Sequence, residues 1–227
     1  MRVFLGSLGF LTTFPVGRDE RSFKAFVENL WIMPITGAFL GFVMWVLSKA
    51  LLLFDLEAIV FLSYFLVEGI NHVDGLSDFF DSIFARDKVR ALKDTRVGVG
   101  GLLAVSSYVL ILYSTFPLDL AQLVISQSLA KSSMLLLLLR NEAAWEGMAR
   151  VFRENVRRRD YLGLIFPLAL LLLFSLKNPR NLVAIIVFLL VTLLVESYSR
   201  RSFGGISGDV LGASNCLTFA AVVLCLQ

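Results

Sequence analysis

Residues 30–53 read LWIMPITGAFLGFVMWVLSKALLL, and Lys49 is their only charge. A helix rises about 1.5 Å per residue, so this stretch is long enough to cross the roughly 30 Å hydrocarbon core of a bilayer. A soluble helix would carry polar residues on one face at a spacing near 3.6, and none recurs here. The stretch reads as a transmembrane helix. Its Gly37-xxx-Gly41 spacing allows a neighbouring helix to approach closely, which is a packing feature and carries no chemistry.

Working outward, six more apolar stretches follow: Leu56–Ile70, Leu102–Pro117, Leu118–Leu139, Leu162–Leu176, Leu182–Ser197 and Val210–Leu226. The chain of 227 residues is 57% hydrophobic and only 17% charged, against about a quarter charged in soluble domains. The expected fold is therefore all-α: a polytopic membrane helix bundle of about seven transmembrane helices, forming a single integral-membrane catalytic domain over residues 1–227. No connection is long enough to hide a soluble domain. Residues 1–16, broken by Pro15, read as a membrane-surface or re-entrant segment and not as a cleaved signal. Cys216 and Cys225 lie in the last apolar stretch and read as small packing residues.

Charge sets the orientation. Of the 21 Lys and Arg residues, all but Lys49, Lys177, Arg180 and the intramembrane Lys131 fall in the connections of one side. Basic connections stay in the cytoplasm, so the N-terminus is expected inside and the C-terminus outside. The run Arg157-Arg158-Arg159 reads as an anchor for acidic lipid headgroups. Membrane lipids are thus expected partners, no nucleic acid is expected, and a homo-oligomer is neither required nor excluded.

The chemistry is concentrated in residues 68–101, EGINHVDGLSDFFDSIFARDKVRALKDTRVGVGG. On a helix, Asp74, Asp78 and Asp81 stand at i, i+4 and i+7 and share a face. Each carboxylate near the membrane costs up to about 2.5–3.5 kcal/mol, so a cluster of them calls for a cation. Arg86 and Arg90 offer one; a hard divalent ion, Mg2+ or Mn2+, suits several carboxylates better. Asp74 and Asp81 are separated by roughly 10 Å along the helix axis. Either two ions bind, or one ion takes two aspartates and ligands from elsewhere, with Asp94 and Asp209 as candidates. His72, the only histidine, is either a hydrogen-bonded structural residue or a general base or substrate contact. Two glycine-rich stretches, KDTRVGVGG (93–101) and GGISGDVLG (204–212), each hold an aspartate and enter an apolar helix. Glycine lets backbone amides approach phosphate at a helix N-terminus, which makes both stretches candidates for a metal-bound phosphate ester.

These stretches resemble the cobalamin synthase family of adenosylcobinamide-GDP ribazoletransferases. Its pattern H-x-D-G-L-A-D-x-x-D-G is met by His72, Asp74, Gly75, Leu76, Asp78 and Asp81. M-K-D-S-R-x-G-x-x-G is met by Lys93, Asp94, Arg96, Gly98 and Gly101, and G-G-x-T-G-D-x-L-G-A by Gly204, Gly205, Gly208, Asp209, Leu211, Gly212 and Ala213. The opening FLTTFPV (10–16) is similar to the family's F-L-T-x-x-P-V. Departures are Ser77, Ser82, Leu92, Thr95 and Ser207, with Lys131 where the family carries arginine; no carboxylate is lost. The resemblance implies a cell-membrane, Mg2+-dependent enzyme with a cytoplasmic active site. It would join adenosylcobinamide-GDP to α-ribazole, or its 5′-phosphate, and release GMP. On that basis Asp74, Asp78, Asp81 and Asp209 are expected to hold metal. His72, Asp81 and Asp94 are expected to act in catalysis, and Lys93, Arg96, Gly204, Gly205 and Gly208 to bind substrate.

Two other readings compete. A lipid CDP-alcohol phosphotransferase also uses spaced aspartates, but its glycine after the second aspartate is Ser82 here and no following D-x-x-x-D block is present. A cation channel would place acids on both faces of the membrane, whereas the outer side carries only Asp55, Glu57 and Asp119.

Overall fold

A computed structural model describes residues 1–94 and 96–227; Thr95, one of the departures noted above, lies outside the described residues. The helices are α1 (Arg2–Leu11), α2 (Glu20–Val27), α3 (Met33–Leu52), α4 (Glu57–Glu68), α5 (Ile70–Phe84), α6 (Lys88–Leu92), α7 (Val99–Thr115), α8 (Leu120–Arg140), α9 (Met148–Glu154), α10 (Ile165–Ser175), α11 (Val183–Phe203) and α12 (Gly208–Cys225). The fold is all-α; among the described residues the only extended pairing is a single bridge between Ala143 and Ile206.

Four helical segments are long and apolar enough to cross a membrane: Leu30–Leu52, Leu120–Arg140, Pro179–Phe203 and Gly208–Cys225. A fifth crossing arises if α4 and α5, bent by 83° at their junction, count as one. The seven expected stretches are all helical, but α4, α7 and α10, with 12, 17 and 11 residues, are short for a crossing. The acidic stretch is where the sequence reading changes most. The apolar stretch Leu56–Ile70 and the aspartate helix are separated by a break at Gly69, whose φ of 92° is a conformation few other residues adopt. The residues of the opening FLTTFPV motif close this break. Thr13 donates from its amide to the Val67 carbonyl (3.1 Å) and from its hydroxyl to the Leu66 carbonyl (2.6 Å). The last carbonyls of α4 are thereby satisfied where the helix can no longer do so.

The centre of the bundle is α8, which is buried along almost its whole length and touched by α3, α10, α11 and α12. Gly37 and Gly41 of α3 lie against the backbone of α8 at Gln127 and Leu123, so close that a Cβ at either glycine would collide. Several hydroxyls of α8 are satisfied internally. The Ser132 and Ser133 hydroxyls bond back to the Ser128 and Ala130 carbonyls (2.6 and 2.8 Å), and that of Ser128 crosses to the Pro34 carbonyl of α3 (2.9 Å). In an apolar medium a lone hydroxyl has no water to turn to, so such local bonds are required. Exposed apolar residues such as Leu172, Leu173, Leu190 and Leu194 cover the outer faces of α10 and α11, as expected of surfaces that meet lipid. Both cysteines are free, and Cys216 is buried as a packing residue. Arg159, from the basic run, donates to the Glu28 carbonyl (2.8 Å).

Candidate active site

The site is built by the crossing of α5 and α12. Gly75 of α5 lies against the Asp209 backbone, where a Cβ would come within 2.8 Å of the Asp209 carbonyl oxygen. One turn along, Gly212 of α12 lies against the His72 backbone, with a Cβ distance of 3.2 Å. These two glycines bring the aspartate face of α5 to the first turn of α12. Helix α5 begins at Ile70, ahead of His72, so the histidine is buried within the helix beside the crossing.

Beside this crossing is a cavity of about 600 Å³, lined by residues of α1, the 12–18 turn, the α4–α5 break, α8, α9 and α12. His72, Asp74, Gly208 and Asp209 all line it. Asp78 stands one turn further along α5, within electrostatic reach of Asp74, Asp209, Asp81 and Asp94. Among the described residues no basic group forms an ion pair with Asp74, Asp78, Asp81 or Asp209. The candidate pairing with Arg86 or Arg90 is thus not made.

The remaining sequence candidates are placed elsewhere. Asp81 accepts from the Gly98 amide (2.7 Å) with Oδ2 and from the Gly101 amide (2.8 Å) with Oδ1. It caps α7 from across the helix interface, a favourable place for a carboxylate. A Cβ on Gly98 would collide with Asp81, and one on Gly101 with the Ser77 hydroxyl and Asp81. The glycines of the first stretch are therefore filled by protein. Arg96 grips Asp94 with Nε (3.0 Å) and Nη2 (2.7 Å), and these hydrogen bonds hold the Asp94 carboxyl at about 2. A carboxylate held so low is a weak base at neutral pH. Lys93 places its ammonium 4.4 Å from the centre of the Trp145 ring. Gly204 ends α11 at a φ of 75°, and Gly205 packs on Glu142 and Ala143. Lys93, Arg96, Gly204, Gly205, Asp81 and Asp94 do not line the cavity.

Gly208 differs from all of these. It is exposed, has ordinary φ, and a Cβ there would meet nothing within 4 Å. Packing does not demand a glycine at this position, yet it opens α12 on the cavity wall next to Asp209. The Ser207 hydroxyl caps the helix by accepting from the Val210 amide and donates to Asp209 (both 3.3 Å).

Glu68, which lines the cavity, belongs to a buried ionic cluster that the sequence reading did not assemble. Glu68 Oε1 accepts from Lys131 (2.6 Å) and Asn215 (2.7 Å), Glu68 Oε2 accepts from Gln127 (3.3 Å), and Lys131 also donates to Asn215 Oδ1 (2.7 Å). Glu68 is the last residue of α4, so the cluster ties the α4–α5 break to α8 and α12. Its signal was present: Lys131 is a lone charge inside an apolar helix, and such a charge needs a partner.

The donor set suits magnesium. It consists of carboxylates without basic partners, on helices that meet at an open cavity. Among the described residues no three His, Cys, Asp or Glu side chains gather closely enough to enclose an ion alone. Magnesium is commonly held in that way, by one or two carboxylates with waters and substrate phosphates completing the shell.

The comparisons agree with the motifs. The family model described as cobalamin-5-phosphate synthase matches residues 3–227. Two proteins of Archaeoglobus fulgidus, both named adenosylcobinamide-GDP ribazoletransferase, are 41% and 36% identical to this chain. The first alignment covers 96% of this chain and 93% of the relative, the second 97% and 95%. A protein of the same name from Pyrococcus furiosus is 30% identical over 96% of each chain. No solved structure matches. With the match running from residue 3 to the last residue, the chain belongs to the cobalamin-5-phosphate synthase family.

Proposed function

We propose that this chain is an adenosylcobinamide-GDP ribazoletransferase working at the cytoplasmic face of the cell membrane. In this reaction a hydroxyl of α-ribazole, or of its 5′-phosphate, attacks the phosphorus that carries the cobinamide side chain. A new oxygen–phosphorus bond forms, the bond to the bridging oxygen of the diphosphate breaks, and GMP leaves with that electron pair. The observation that carries the reading is the crossing at Gly75 and Gly212. It sets His72, Asp74, Asp209 and the open Gly208 around one cavity, with Asp78 a turn away.

In this reading Asp74, Asp78 and Asp209 hold Mg2+, which supplies charge neutralisation on the diphosphate. Asp81 orders the α7 N-terminus, and its remaining lone pairs leave a ligand role open. Gly208 lets the first amides of α12 approach a phosphate oxygen. His72 takes the hydroxyl proton in this reading, because it lines the cavity while Asp94 is bound by Arg96. Lys93 and Arg96, which do not line the cavity, would meet the nucleotide from outside it. The seven apolar stretches and the one-sided distribution of Lys and Arg support a seven-span topology with the N-terminus inside and the C-terminus outside.

The test uses purified protein in liposomes with adenosylcobinamide-GDP, α-ribazole 5′-phosphate and Mg2+, following GMP and corrinoid product together. Turnover should need Mg2+ and should vanish in Asp78→Asn, a variant that keeps its helical content. Full activity in that variant, or release of CMP from CDP-diacylglycerol in place of this reaction, would sink the proposal.

A further inference from the structure

We infer that the cavity beside the α5–α12 crossing is the seat of the α-ribazole, with its benzimidazole base on a wall formed by Phe10, Phe152, Met134 and Met148. The corrinoid of the second substrate stays outside and presents only its diphosphate. This rests on the ribazoletransferase reading and assigns its two substrates to different places.

Size is the first ground. Pockets for small molecules run to roughly 300–1,000 Å³, and about 600 Å³ accommodates a two-ring base on a pentose. An adenosylcorrinoid with a GDP tail is several times larger than such a nucleoside and has no room there. Lining chemistry is the second. Helices α1 and α9 supply Phe10 and Phe152, packed edge to face at 5.0 Å, and Met134 and Met148 add polarizable thioethers. Aromatic edges and thioethers suit a flat apolar ring system. Met134 and Phe152 are almost fully buried, whereas Met148 is 43% exposed and stands at the mouth.

The third ground separates ribazole from guanosine, the other nucleoside of the reaction. Guanine carries donors and acceptors around both rings, and against Phe10, Phe152, Met134 and Met148 they would be left unpaired at about 1–3 kcal/mol each; of the polar residues that also line the cavity, Thr12, Thr13, Arg18 and Asn71, the Arg18 guanidinium already donates to the Thr13 carbonyl. Dimethylbenzimidazole has no exocyclic polar group and one free ring nitrogen. The nearby polar oxygens of Glu68 are already committed to Lys131, Asn215 and Gln127. A base on this wall directs its ribose to the part of the cavity lined by His72, Asp74 and Asp209, where a hydroxyl must lose its proton. The diphosphate is then met at Gly208.

Binding can be read without turnover. Isothermal titration of α-ribazole into protein held in lipid nanodiscs should give a Kd that weakens about tenfold in Phe10→Ala, the loss of one aromatic partner for a base. Adenosylcobinamide-GDP should bind both proteins alike. Phe10 belongs to a cluster with Phe23, Phe26 and Phe152, so Met148→Ala at the exposed mouth serves as a second variant and should weaken ribazole several-fold. In the wild-type protein, guanosine should fail to displace α-ribazole. Folded variants with unchanged ribazole affinity would overturn the assignment, as would displacement by guanosine together with weakened adenosylcobinamide-GDP binding. A wild-type protein that neither binds ribazole nor releases GMP would instead overturn the transferase reading.

Discussion

The two glycine-rich stretches, 93–101 and 204–212, have the same outline in sequence, with glycines and one aspartate leading into an apolar helix. In the folded chain they do different work. Gly98 and Gly101 are small because Asp81 and Ser77 occupy the space a side chain would take, and their amides are bound by the Asp81 carboxylate. The second stretch divides its glycines: Gly204 turns the chain, Gly205 packs, Gly212 admits α5, and Gly208 faces open space on the cavity. A glycine that opens a helix points to a ligand only when the protein itself leaves the room beside it empty.

Three substitutions sharpen or break this contrast. The largest effect belongs to neither stretch but to the buried cluster that fixes α12 to the α4–α5 break. Lys131→Met leaves the Glu68 charge buried without its cation, and should lower stability by about 3–5 kcal/mol, read as thermal unfolding in detergent. Lys131→Arg should retain most of it; an unchanged melting temperature in the methionine variant would mean that the cluster does not hold the site together. Next, Gly101→Ala drives a methyl into the Ser77 hydroxyl and Asp81, and should cost about 1–3 kcal/mol of stability. Its KM values should remain those of the wild type. A rise in KM without loss of stability would instead give the glycines of the first stretch a part in substrate binding. The smallest stability effect is expected at the second stretch. Gly208→Ala meets no atom within 4 Å and should be neutral or stabilising by up to about 1 kcal/mol, yet should lower kcat/KM about tenfold by crowding the phosphate. Wild-type kcat/KM in that variant would remove Gly208 from the site.

Sequence and structure agree best where one helix suffices. The spacing of Asp74, Asp78 and Asp81 is a property of one element, and α5 carries it as read. The helix boundaries at α8 and α12 fall within a few residues of the apolar stretches because burial of the backbone in an apolar medium leaves little choice but helix. The α4–α5 bend at Gly69 was not legible from the apolar pattern, which marks an apolar stretch and not its direction. The same holds for the bonding of Asp81 and Asp94. Their protein partners, the amides of Gly98 and Gly101 and the Arg96 side chain, are brought up by folding.

By itself the sequence determined the apolar solvent, the helical class and the carboxylate ladder, which follow from composition and local periodicity, and the family, which its ordered motifs carried. It also carried the pieces of the buried cluster, as isolated charges at Glu68 and Lys131. The tertiary structure alone decided which glycines are filled and which is open, and which acids are already bound. It also decided that residues 10, 72, 74, 134, 148, 152, 208 and 209 share one cavity. Those outcomes depend on pairs of groups far apart in the chain, whose approach is set by helix crossing and not by any pattern within a helix.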